Sequence, residues 1–264
     1  MPLLSRFKSW LFKDFITNDQ LKGNLNSPEF YSSDYEWDEF YGRFEDRYRG
    51  EAALITQRIR DRYTSLLGEV KKETGPGKFI DLGCGRGEFL TFCRELGLDV
   101  VGVDSSIDAV KTAKRHEHEV YHSDILDFLK AQPSDSAVAI CCLHVIEHLP
   151  VRYTWRMFKE AYRVLKKNGA FFVETPSCFS AWISSRQFYL DPTHSKPVHP
   201  DLIRFMADDV GFSETHILEF NPVDLGDKRI DLTSHFQGRT HDEMKKLEGW
   251  LFGPMDVTLW TRKK

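Results

Sequence analysis

The sequence predicts an α/β fold, a doubly wound and mostly parallel sheet with a helical N-terminal extension. Three observations predict it. Short apolar runs alternate with helical patterns from Lys78 to Glu174, and such alternation builds parallel strands joined by right-handed crossovers. The run Ala137 to Leu143 is apolar throughout, as a central strand covered on both faces must be. A glycine-rich turn, Gly83-Cys84-Gly85-Arg86-Gly87, joins the first strand to the helix after it, a place where open α/β sheets bind ligands.

The elements follow in order. In Met1 to Thr17, Leu3, Leu4, Phe7, Trp10, Leu11 and Phe15 recur at helical spacing with Arg6, Lys8 and Lys13 among them. This amphipathic helix either docks on its own domain or a partner subunit, or lies on an anionic membrane surface. Residues 18–34 carry Asn, Gly, Ser and Pro and read as a linker, so the main domain is expected over residues 35–264. Residues 35–70 are helical in character, and Gly75-Pro76-Gly77 stops that helix. Strands are expected at Lys78 to Leu82, Asp99 to Val103, Val120 to His122, Ala137 to Leu143 and Ala170 to Glu174. Helices are expected at Gly87 to Gly97, Ser106 to Arg115 and Trp155 to Leu165. Asn168-Gly169 reads as the stop of the last of these, with Lys166 and Lys167 complementing its negative end. His216 to Phe220 and Asp256 to Trp260 read as two further strands, with a helix near His241 to Trp250 between them.

Composition narrows the function classes. The 264 residues suit one large domain or one domain with appendages, and 41% hydrophobic residues support a sizeable core. A net charge of −4 gives no global attraction to nucleic acid. Five cysteines, two of them adjacent in an apolar run and none in CxxC spacing, suit packed thiols in a reducing, cytoplasmic compartment. No apolar run is long enough to span a bilayer.

The chemistry begins at Phe79-Ile-Asp-Leu-Gly-Cys-Gly-Arg-Gly-Glu-Phe-Leu90. Gly83, Gly85 and Gly87 let the backbone take positive φ and let a ligand approach Cys84 and its neighbours closely. The spacing is GxGxG, not the GxGxxG of dinucleotide sites, and Asp81 stands two residues before the first glycine. That acid would repel a pyrophosphate and attract a cofactor carrying an amino-acid ammonium and a sulfonium. Asp104, followed by Ser105, ends the second strand, where an acid accepts from both hydroxyls of a ribose. Asp124 can accept from an adenine amino group while Ile125 packs on the ring; Asp124 also reads as a helix N-cap. Leu143, at the tip of the fourth strand, is expected beside the cofactor.

DLGCGRGEFL, the acid in VGVDSS, SDIL and HVIEHLP, in this order over roughly residues 78–220, resemble the successive motifs of class I S-adenosylmethionine (SAM)-dependent methyltransferases. The resemblance implies a Rossmann-like, seven-stranded sheet whose last strand, Asp256 to Trp260, is antiparallel, and it implies SAM as cofactor. NAD-dependent oxidoreductases and a non-catalytic SAM-binding scaffold are the rival readings. The first fits Asp104 but not Asp81; the second would be expected to carry a degraded glycine loop.

After the fourth strand, His144, Glu147 and His148 are spaced to share one face of a helical turn. Two imidazoles and a carboxylate can act as a base cluster or ligate a metal. HVIEH is similar to the ExxEH segment of metal-dependent O-methyltransferases of the ubiquinone pathway and of small-RNA 2′-hydroxyls, with His144 in place of the first Glu. The resemblance implies a further histidine near the substrate. His194, in the proline-rich loop after Glu174-Thr-Pro-Ser177, could complete the cluster or serve as base, while Asp191 and His194 could equally brace the loop. The aromatic stretch from Tyr31 to Tyr48 either forms a lid over the cofactor, with one of Arg43, Arg47 and Arg49 paired to the SAM carboxylate, or packs on the sheet with its arginines solvated. FYGRFEDRYRG, ETPS, FYLDPTH and LFGPMDV, over residues 35–262, resemble bacterial surface-polysaccharide methyltransferases of the O-antigen chain-terminating type. That likeness implies a sugar hydroxyl or glycan phosphate as acceptor, at the cytoplasmic side of the inner membrane.

Overall fold

The computed structural model describes residues 35–222, 233–234 and 237–264. The amphipathic helix and linker expected over 1–34 lie outside the described residues. The chain divides into two compact units, residues 1–44 and 45–264. Helix α1 spans Tyr35–Tyr48 and α2 spans Ala52–Thr74. Helix α2 buries Ile59, Tyr63, Leu67 and Val70, a spacing of three and four residues that makes one stripe. Gly75, at φ 71°, ends it with its N–H on the Lys71 carbonyl, the left-handed stop that glycine adopts without strain.

The second unit holds a seven-stranded sheet in the order β3-β2-β1-β4-β5-β7-β6. Its strands are β1 (Lys78–Leu82), β2 (Val100–Asp104), β3 (Val120–His122), β4 (Ala137–Leu143), β5 (Leu165–Pro176), β6 (Ser213–Pro222) and β7 (Pro254–Arg262). Strands β1 to β5 pair in parallel, while β7 runs antiparallel to both β5 and β6, as the expected fold requires. Between them lie α3 (Glu88–Glu95), α4 (Ile107–Arg115), α5 (Ile125–Ala131), α6 (Val151–Val164), α7 (Pro200–Val210) and α8 (Gly238–Leu251).

The sheet separates two apolar layers. Ile80, Ile140, Cys142, Phe171 and Val173 face one side with α6 and α7, and Phe79, Cys141 and Phe172 face the other with α2 and α3. The alternation is the two-residue period of a strand, and burying each Phe contributes roughly 1.5–3 kcal/mol. All five cysteines are free thiols, four of them buried. Among the described residues no helix is long and apolar enough to cross a membrane.

One expected element is corrected. Asn168-Gly169 is not a helix stop. Helix α6 ends at Val164, Leu165 is already extended, and residues 165–176 form one strand. Asn168 takes φ 63° within it, and the register with β4 shifts between Ala137 and Ala139. The Asn-Gly pair makes a bulge, a use of left-handed backbone that local sequence cannot distinguish from a helix cap.

Candidate active site

The first half of the site forms where β1, β2 and β3 end. Gly83 and Gly85 have φ of 71° and 53°, a region that side chains disfavour. A Cβ on Gly83 would lie 2.4 Å from Val145 Cγ2, and one on Gly85 would lie 3.0 Å from Arg49 Nη1. The loop is therefore bare backbone, pressed between the segment after β4 and an arginine. Gly87, also left-handed, does different work: its missing side chain makes room for His118, 2.8 Å from where its Cβ would be. It shapes the turn into α3. The Cys84 side chain packs with Leu90 and Val110, its Sγ 3.9 Å from the Gly85 carbonyl oxygen.

Acids surround this loop. Asp81 is 3% exposed. Burial, with Asp104 and Glu88 nearby, pushes its carboxyl up to about 8, against the pull of Arg49. Burial also raises Asp104, although the Ser106 and Gly85 amides favour its charged form. Asp104 Oδ2 accepts from Gly85 N and Oδ1 from Ser106 N, each at 2.8 Å. Glu88 Oε2 is buried without a hydrogen bond, 3.7 Å from Arg49 Nη2. The suppressed charge of the buried Asp81 carboxyl marks a site short of positive charge, which an ammonium and sulfonium would supply. The bare loop and these acids fit SAM.

Ser105 and Asp124 stand at the same edge. The Ser105 carbonyl accepts from His122 Nε2 at 2.9 Å. Asp124 caps α5, taking Leu126 N at 2.8 Å and Asp127 N at 3.1 Å on Oδ1 and the Tyr153 hydroxyl at 2.7 Å on Oδ2. Its capping role is thus realised. Ile125 is buried in the main core, 8% exposed, so an adenine ring would meet only its edge.

The second half of the site follows β4, beside Gly83 through Val145. Here the expected helical face is corrected. Only Ile146–His148 forms a turn, a single 3-10 turn, and His144 lies before it at φ 55°. Glu147 keeps both histidines as neighbours, but the two histidines turn to different partners. His144 Nε2 lies 3.1 Å from Glu174 Oε1 and its Nδ1 3.4 Å from Glu147 Oε1. His148 turns to the proline-rich loop, where its ring meets that of His194 edge to face at 4.7 Å. Leu143, half-buried at the tip of β4, flanks this junction.

Among the described residues two groups can gather around a cation: Glu147 with His148 and His194, and His144 with Glu174 and Asp256. The hydrogen bonds separate them. His194 Nδ1 donates to the Phe188 carbonyl at 2.6 Å, which leaves Nε2 as the lone pair. The Thr193 hydroxyl donates to Asp191 Oδ1 at 2.6 Å, so it accepts from His148 Nδ1 at 2.7 Å and again Nε2 is left. Glu147 is fully buried. Thr175 donates to its Oε2 at 3.0 Å, whereas Oε1 has no hydrogen bond and lies 3.9 Å from His194 Nε2. Three lone pairs, each oriented by an outer partner, are what a divalent ion needs. The other group already holds a cation: Arg62 donates to Glu174 at 2.5 Å and to Asp256 at 2.7 Å. A metal there would meet that fixed charge.

The electrostatics agree. Burial lowers His148, keeping it neutral. For His144, partial burial works against the proton, but Glu147, Glu174 and Asp256 outweigh it and hold the imidazole well above its ordinary value. Burial alone would raise Glu147, yet His144 holds its carboxyl low. Sequence reasoning did not find Arg62, Tyr63, Thr193 or Asp256 as site residues. Their partners lie far along the chain or within a loop, and no local spacing signals them.

Comparison with known proteins places this geometry. Residues 48–217 match a family described as a methyltransferase domain. The crystal structure of a SAM-dependent methyltransferase from Archaeoglobus fulgidus aligns with TM-score 0.75 and 30% identity, covering 85% of this chain and 100% of that one. Haemonchus contortus phosphoethanolamine N-methyltransferase 2, solved with SAM, shares the fold at TM-score 0.53 and 16% identity, over 84% of this chain and 59% of that one. A ubiquinone biosynthesis O-methyltransferase of Glaesserella parasuis is 29% identical over 127 residues, 44% of this chain and 49% of that protein. The chain spans about half the length of the curated relatives it matches. Their names concern ubiquinone biosynthesis, and the polysaccharide likeness drawn from sequence finds no support among them. With the family match running from the end of α1 into β6, the chain belongs to the class I SAM-dependent methyltransferases.

Proposed function

We propose that this chain moves a methyl group from SAM to a hydroxyl oxygen of a small molecule, with a divalent cation held by Glu147, His148 and His194. The observation that carries the reading is the buried, unbonded Oε1 of Glu147 beside two histidines whose Nδ1 atoms are already engaged. The cation, when bound, lowers the pKa of an acceptor hydroxyl, whose proton leaves to solvent. The protein's own residues orient the pair. Asp81 and the bare backbone of Gly83 and Gly85 take the amino-acid end of SAM, Asp104 takes the ribose, and Arg49 takes the carboxylate. The C–S bond breaks as the C–O bond forms, and the sulfonium becomes the neutral thioether of S-adenosylhomocysteine (SAH). Holding methyl and oxygen in line in a dry site supplies most of the acceleration.

The acceptor follows from chemistry and relatives together. A cation site serves a hydroxyl, which must lose a proton, better than a phosphate, which is already ionised. The curated relatives are O-methyltransferases of ubiquinone biosynthesis, so hydroxylated ring compounds are the first acceptors to try. A sugar hydroxyl, suggested by the motifs over residues 35–262, is the second. The reaction is proposed for the cytoplasm, with residues 1–17 as a proposed contact to the inner membrane surface. The test is SAH formation from SAM with both acceptor classes, after chelator treatment and again after added Mg²⁺ or Mn²⁺. Turnover that is lost with chelator and restored by metal supports the reading. Undiminished turnover in chelator rejects the cation, and the absence of SAH formation with every hydroxyl acceptor rejects O-methylation.

A further inference from the structure

Glu174 has no lone pair to spare. Its Oε1 accepts from Arg62 Nη1 at 2.5 Å and lies 3.1 Å from His144 Nε2. Its Oε2 accepts from the Tyr63 hydroxyl at 2.6 Å and the Thr258 hydroxyl at 2.9 Å. A carboxylate offers about four acceptor positions, so all of them are committed. Such a group can neither ligate a metal nor take a proton from a substrate; it can only hold its partners in place. Arg62 is held in turn by Asp256, at 2.7 Å, and Tyr63 is completely buried. The network joins α2, β5 and β7, three elements far apart in sequence.

The partner that faces the reaction is His144. One edge of its ring meets Glu174, and the other meets Glu147 Oε1 at 3.4 Å. Thr175 donates to Oε2 of the same carboxylate, and Oε1, without a geometric hydrogen bond, lies 3.4 Å from His144 Nδ1 and 3.9 Å from His194 Nε2.

We propose that Arg62, Tyr63 and Glu174 are positioning residues: they clamp His144, and His144 orients the Glu147 carboxylate toward His148 and His194. The inference rests on the reading of Glu147, His148 and His194 as a cation site. Its reach is the point of interest, because it makes an N-terminal helix, 111 and 112 residues before Glu174 in the pairings that bind it, part of the reaction centre's frame.

The test uses the whole chain as wild type, Glu174→Gln and Tyr63→Phe. Mn²⁺ and SAH are titrated separately by calorimetry, and the ring N–H signals of His144 are recorded by NMR on histidine-labelled protein without metal. Glu174→Gln replaces one acceptor oxygen with an amide donor and removes the charge. It is expected to weaken Mn²⁺ about tenfold or more, the usual cost of losing an outer partner, and to shift or broaden the His144 signals while SAH affinity stays unchanged. Tyr63→Phe, which removes one oxygen only, is expected to do the same to a smaller degree. Unchanged Mn²⁺ affinity and unchanged His144 signals in a variant that still binds SAH overturn the proposal. Should Glu174→Gln lose SAH binding through misfolding, Tyr63→Phe decides. If the wild type binds no Mn²⁺, the cation reading fails by itself, and the His144 signals alone decide whether the clamp exists.

Discussion

The Asp104 carboxylate accepts the Gly85 amide at 2.8 Å, which ties the tip of β2 to the glycine loop of β1. One side chain therefore shapes the loop and is the one proposed to take the ribose. Asp104→Ala is expected to weaken SAH by at least about 100-fold, because two hydrogen bonds to a charged acceptor contribute roughly 1.5–3 kcal/mol each. Asp104→Asn, which keeps one acceptor oxygen, should fall between. Calorimetric titration with SAH measures both, and near-parental binding by the Ala variant would remove Asp104 from the ribose.

Gly83 and Val145 are expected to be coupled. Gly83→Ala forces a side chain into φ 71° and brings its Cβ to 2.4 Å from Val145 Cγ2. Left-handed strain costs about 1–2 kcal/mol and overpacking about 1–3 kcal/mol more. Adding Val145→Ala should relieve the overpacking and leave the strain. Thermal melts of the two singles and the double read the coupling; strictly additive losses would show that the two loops do not touch in solution.

The scaffold was legible because most of the parallel strands carry their own apolar runs and the helices between them their own stripes. Val120 to His122 and Ala137 to Leu143 are found where their runs stand. Asn168-Gly169 misled because the same left-handed backbone closes helices and makes bulges, and only the pairing of β5 with β4 decides between them. The side chains of the candidate site were nameable from the sequence, and their grouping was not. His144, Glu147 and His148 have helical spacing, but the left-handed backbone at His144 sends its ring to Glu174 as well as Glu147 while His148 joins His194, and nothing in the spacing announces that split. Arg62 and Asp256 were invisible for a different reason. They meet across 194 residues, and a lone Arg on an amphipathic helix reads as solvated.

His148 and His194 should divide cofactor binding from chemistry. Their rings meet each other and the proline-rich loop, away from Asp81, Asp104 and the glycine loop. His148→Ala and His194→Ala are each expected to bind SAH as the parent does. Each should lose Mn²⁺ affinity by more than the ~10–100-fold typical of outer partners, and turnover should fall with it. Calorimetry with each ligand separates the effects, and a large loss of SAH affinity would place these histidines in the cofactor site instead.

Asp81 makes cofactor binding depend on pH, in a direction that its environment sets. In the free protein its carboxyl is pushed up to about 8 by burial and by Asp104 and Glu88, so it carries a proton at neutral pH. The ammonium of SAM or SAH favours the ionised form, so binding expels that proton. Affinity should rise with pH below about 8, by up to about tenfold per unit, and level off above it. The same shift has a cost in the free protein. A carboxyl raised above its unfolded value binds a proton more tightly when folded, so its contribution to stability declines as pH rises from the unfolded value toward the folded one. Asp81→Asn carries no proton to lose. It should bind SAH more weakly at pH 8 and show a flat profile. Titrations in two buffers of different ionisation enthalpy, at pH 6.5 and 8, count the released protons directly. A parent protein that releases none at pH 6.5 would mean either that Asp81 is already ionised or that the cofactor's ammonium lies elsewhere, and in both cases the predicted pH dependence fails.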